Sequence, residues 1–104
     1  LGVALAETAF AGGVGLDVDL AKVPAEGVGR VDALIFSETP SRFVVTVDPD
    51  REAAFVEQFR GQTAARIGRV TADARLRLRG LRGEILLDEE IGALKAAWQR
   101  PLNF

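Results

Sequence analysis

A chain of 104 residues with 48% hydrophobic and 27% charged side chains fits one globular domain, large enough to bury roughly 65% of the surface its unfolded form exposes. It contains no Cys and no His, which excludes a disulfide scaffold, a zinc site built within the chain and a Cys or His nucleophile, and leaves carboxylates with an oxygen-loving ion such as Mg²⁺ as the open metal chemistry. No run approaches ~18 uninterrupted apolar residues and no basic-then-apolar leader opens the chain, so a soluble, non-exported, cytoplasmic protein is expected.

Leu1 to Ala11 reads as a helix, rich in Ala and ended by Gly12-Gly13. It starts without a capping residue, as a fragment cut from a longer protein would. Val14 to Leu20 then alternates apolar and acidic residues at the period of a half-exposed strand. After a loop containing Pro24 and Gly27-Val28-Gly29, Val31 to Phe36 forms a short helix with Leu34 and Ile35 inward.

Arg42 to Val47 is apolar on both faces and is expected as a central strand. Asp48-Pro49 signals the next helix, with Ala53, Phe55, Val56 and Phe59 as its buried stripe and Gly61 as its end. Ala65 to Thr71 and Arg75 to Arg79 are two more strands, the second placing Leu76 and Leu78 on one face and three guanidiniums on the other. Glu84 to Leu87 is a short fifth strand. Asp88 then caps a last helix with Ile91, Leu94 and Trp98 inward, stopped by Pro101. This order predicts an α+β domain, a mixed sheet of four to five strands with helices on one face, covering residues 1–104.

Three segments carry candidate chemistry. Gly12-Gly13-Val14-Gly15 looks like a phosphate loop, but it follows a helix and precedes a strand, so helix termination is the reading its context favours; a loop lining a neighbouring domain's site is the alternative. In the polar turn from Ser37 to Arg42, Pro40 restrains its neighbours, Arg42 can clamp a phosphate and Ser37 and Ser41 offer short donors. An internal Glu38 to Arg42 ion pair in a helix-capping turn explains the same residues equally well.

The third segment is basic. From Arg66 to Arg82, six arginines meet the single acid Asp73, a local balance of +5 in a chain of net charge −2. A small interaction or RNA-binding module is one reading of it. No aromatic lies between Phe59 and Trp98 to stack on bases, which favours a solvated sheet face or a contact for another domain, with no nucleic-acid and no membrane partner.

The segments Leu1 to Gly15, Phe36-Ser37-Glu38-Thr39-Pro40-Ser41-Arg42-Phe43, Arg66 to Thr71, Leu94 to Trp98 and Pro101-Leu102 together resemble, in order, the C-terminal domain of phosphoribosylformylglycinamidine synthases, a domain type shared with aminoimidazole ribonucleotide synthetases. The resemblance implies a ligase of purine biosynthesis. With ATP and Mg²⁺ the full-length enzyme converts formylglycinamide ribonucleotide to its amidine, using ammonia from glutamine.

The implied partners are the N-terminal synthetase domain of the same chain, a glutaminase subunit and a small accessory subunit. Ser37, Glu38, Ser41 and Arg42 match the family's Ser-Glu-Ser-Pro-x-Arg element, with Thr39 replacing its second Ser, and this implies a substrate-binding turn. The family's Asp-Gly-Gly element belongs immediately before Leu1, outside the sequence. The segment alone is therefore expected to hold no catalytic or metal-binding residues, to bind no cofactor, to turn nothing over, and to self-associate through an exposed interface.

Overall fold

The computed structural model describes residues 1–25, 27–38 and 40–102. Helix α1 spans Gly2–Gly12 and stops where Gly13 turns left-handed at φ 67°, its N–H returning to the Ala9 carbonyl. Strand β1 follows at Gly15–Asp19, and the short helix α2 at Val31–Ile35. A 3₁₀ turn at Pro49–Arg51 leads into α3, Glu52–Gln58. Strands β2 (Gly68–Thr71), β3 (Arg75–Arg79) and β4 (Ile85–Glu90) come next, and α4, Ile91–Gln99, closes the order.

The four strands form one mixed sheet in the order β2-β1-β3-β4. The β1–β3 pair is parallel, and β1–β2 and β3–β4 are antiparallel. Alternation decides what each face becomes. Leu16 lies beside Leu76 and Val18 beside Leu78, so these four form a buried apolar layer, with Leu5 and Ala9 of α1, Leu34 of α2 and Ile91 of α4 buried in the same cluster. A brace joins α1 to α4: the Trp98 indole N–H donates to Glu7 Oε1 at 3.1 Å, and its ring lies 5.6 Å from that of Phe10. The chain adopts the expected α+β class with a mixed sheet, and of the four to five strands expected it forms four.

Three local expectations fail, each for a physical reason. Arg42 to Val47 is not a central strand: both edges of β1 are taken by β2 and β3, and the segment runs as irregular chain with Phe43 83% and Val45 60% exposed. The apolar stripe of α3 has no buried residue. Instead Phe55, Val56 and Phe59 line an open trough of about 1120 Å³ that reaches the apolar side of β1 and β2. Asp88 does not cap α4, because Arg75 across the β3–β4 ladder holds its carboxylate at 2.6 Å and pairing continues to Glu90.

Candidate functional site

The polar turn is positioned from three sides. Helix α2 buries Leu34 and ends at Phe36, whose N–H donates to the Asp32 carbonyl at 3.0 Å, so the chain leaves the core at a fixed point. The nitrogen of Leu1 donates to the Ser37 carbonyl at 3.0 Å, tying the turn to the start of α1. Ser41 sits left-handed at φ 64°, a conformation that costs a non-glycine residue energy and aims the chain from the turn into Arg42.

Arg42 is half-buried, and its guanidinium donates through Nη1 to Ser37 Oγ at 2.7 Å and through Nη2 to the Pro24 carbonyl at 3.4 Å. Both acceptors are neutral. The internal ion pair that would neutralise Arg42 is not formed: among the described residues neither Glu38 nor any other carboxylate pairs with it. The positive charge therefore remains available beside a hollow of about 390 Å³. Ser37 and Arg42 line that hollow together with Pro24, Ala25, Leu34 and Thr63. Glu38 and Ser41 are exposed and do not line it, while Thr39 lies outside the described residues.

Sequence reasoning missed the far wall. Pro24 and Thr63 come from loops distant in the chain, and neither carries a periodic signal that would place it there. The Gly12 to Gly15 segment is a helix stop, with carbonyls rather than amides at its α1 end; Val14 N–H and Gly13 N–H both return to Ala9.

The arginine-rich region makes a different surface. On the face of the sheet opposite the core, Arg69 of β2, Asp17 of β1, Arg77 of β3 and Asp88 of β4 stand side by side in register, alternating in sign across all four strands. Arg79 forks onto Asp17, its Nε at 3.1 Å from Oδ1 and its Nη2 at 3.3 Å from Oδ2. Arg77 pairs with Asp73, and Arg66 reaches Glu52 at 3.0 Å.

These pairings shift the titration of their members. The Arg77 and Thr71 hydrogen bonds pull the Asp73 carboxyl down to about 2, and the guanidiniums of Arg75, Arg77 and Arg79 are held above their ordinary value by Asp88, Asp73 and Asp17. Four of the six arginines are thus already ion-paired with acids of the same domain. That is a self-compensated sheet face, poorly suited to a polyanion.

Among the described residues no three acidic side chains converge as a metal centre requires. No described helix is long and apolar enough to cross a membrane.

Comparison with known proteins bears on the whole chain. Residues 1–80 match the family model "AIR synthase related protein, C-terminal domain". The phosphoribosylformylglycinamidine synthase subunit PurL of Limosilactobacillus reuteri is 41% identical over 102 residues, which is 98% of this chain and 12% of that protein. The PurL of Deinococcus radiodurans is 35% identical over 103 residues, 99% of this chain and 13% of that protein. The chain thus spans about an eighth of the length of these relatives. No solved structure matches it. With the matched family covering α1 through β3 and the relatives extending the likeness through α4, the chain belongs to the AIR synthase related C-terminal domain family.

Proposed function

We propose that this chain serves as the C-terminal domain of a phosphoribosylformylglycinamidine synthase subunit and forms one wall of the cleft in which formylglycinamide ribonucleotide is bound. The observation that carries the reading is likeness to PurL proteins along essentially the full chain, 41% over 102 residues. The site supports it: a guanidinium with no acidic partner among the described residues faces a small hollow, as binding a phosphorylated ligand asks.

In this reading Arg42 binds the ligand's phosphate and Ser37 holds the guanidinium in place. Glu38 and Ser41, exposed on the turn, meet the ligand or the neighbouring domain. ATP and Mg²⁺ supply the activation of the formylglycinamide amide oxygen, and the groups that hold them belong to the rest of the synthase. A glutaminase subunit delivers ammonia and a small accessory subunit completes the complex, in the cytoplasm. Positioning is this domain's contribution, and phosphoryl transfer depends heavily on positioning.

The test is an assay of the longer protein that contains this chain, with formylglycinamide ribonucleotide, ATP, Mg²⁺ and ammonia. ADP release that requires the ribonucleotide is the expected result. ADP release indifferent to the ribonucleotide overturns the reading.

A further inference from the structure

The charged face of the sheet is antisymmetric about its own midline. Read across β2, β1, β3 and β4, the row Arg69, Asp17, Arg77, Asp88 runs plus, minus, plus, minus. Two residues further along, β1 and β3 repeat the alternation with Asp19 beside Arg79. A second copy turned over about a twofold axis that runs along the strands, between β1 and β3, lays its β4 over β2 and its β3 over β1. Every cation then meets an anion: Arg69 faces Asp88 of the second copy, Arg77 faces Asp17 and Arg79 faces Asp19. An axis running across the strands would instead set each residue of the row against itself, like charge to like, so the pattern selects one orientation. Sheet twist rotates neighbouring strands about the line that joins them across the sheet, and the facing survives it.

We infer that this face is where two copies of the chain meet, in a weak symmetric dimer held by charge. The face is open on that side, because α1, α2 and α4 pack on the opposite one through Leu5, Leu34 and Ile91. Its arginines keep donors to give. Arg79 spends Nε and Nη2 on Asp17 and Arg77 spends Nη2 on Asp73, so Nη1 of each is uncommitted among the described residues. Arg69, exposed on β2, has no acidic partner among the described residues. Sheets stacked about 10 Å apart leave a gap that an arginine and an aspartate span together. Four strands of about five residues cover roughly 19 by 17 Å, well below the roughly 800 Å² a side of a stable complex. The dimer is therefore concentration-dependent and sensitive to salt. It is independent of the proposed function.

Sedimentation equilibrium of the 104-residue chain tests it, at about 1 mM chain in about 20 mM salt, where the Debye length is roughly 20 Å. Dimer is expected there, with a dissociation constant that rises about tenfold or more in 0.5 M salt.

Charge reversal checks the pairing. Arg69→Glu and Asp88→Lys each oppose like charges on both sides of the axis, so either variant alone weakens dimerisation about tenfold or more. Mixed one to one, the two reversed sites face each other as opposite charges, and dimer returns. Recovery on mixing also shows that both variants are folded. Should Asp88→Lys unfold through loss of its Arg75 bond, Arg69→Glu decides the matter alone. A chain that stays monomeric in low salt overturns the proposal. So does a dimer indifferent to salt and to both substitutions, since the apolar trough beside α3 would then be holding it.

Discussion

The Arg42 guanidinium donates to the Ser37 hydroxyl at 2.7 Å, across the turn that both residues bound. This bond holds a cation beside the hollow through a neutral acceptor, so the side chain is positioned without its charge being cancelled. Ser37→Ala removes the acceptor and leaves the charge. The expected cost is about 0.5–1.5 kcal/mol in urea unfolding, the usual net worth of one hydrogen bond. An unchanged unfolding midpoint contradicts the bracing role.

The ion pairs of the fold differ in what they contribute. Asp17 is 15% exposed and takes both arms of Arg79, whereas Glu57 is 66% exposed and pairs with Arg60 one helical turn away. Solvent screening makes the second pair nearly worthless, and partial burial makes the first costly to break. Asp17→Asn therefore lowers the urea midpoint more than Glu57→Gln does. Equal effects from the two substitutions refute this ordering.

Acid should expose the Asp73 contribution in a defined window. Its carboxyl titrates near 2 in the folded chain against 3.8 ordinarily, because Arg77 and Thr71 bond the ionised form. A carboxylate depressed on folding stabilises fully above its unfolded pKa, and that stability drains away as pH falls through the folded one. Unfolding free energy measured from pH 5 to pH 2 accordingly declines between about 4 and about 2, and Asp73→Asn makes that decline shallower. An identical pH profile for the variant argues against the pairing.

Gly68 is fixed by its neighbours rather than by its dihedral angles. A methyl group there points into the Asp17 carbonyl and within 2.9 Å of Val18 Cα, both backbone atoms of β1 that cannot turn aside. Gly68→Ala should destabilise the chain by about 1–3 kcal/mol, the range for overpacking. Thermal or urea unfolding reads it directly.

How much of this was legible in the sequence depended on whether the deciding contact was local. Arg75–Arg79 is a strand at the bounds its alternation shows, because Leu76 and Leu78 can reach the core only from an extended chain. The Asp88 cap was misread because an acid before an apolar run signals a helix start, and nothing nearby announces that Arg75, thirteen residues back, will claim it. Phe43–Val47 has strand composition, but a strand needs an edge, and the edges of β1 were assigned by pairings that alternation does not specify. At the candidate site the same division holds. Arg42 and Ser37 share one turn and could be picked out together, while Pro24 and Thr63 meet them only through the fold.

Arg42 is the residue on which the functional account turns. The most direct measurement is the KM for formylglycinamide ribonucleotide of the longer synthase carrying Arg42→Ala, beside the same enzyme with Arg42 intact. A hydrogen bond from a charged group to a phosphate contributes about 1.5–3 kcal/mol, so KM should rise at least tenfold while kcat moves little. A KM unaltered by loss of the guanidinium contradicts the assignment of this turn to the phosphorylated substrate.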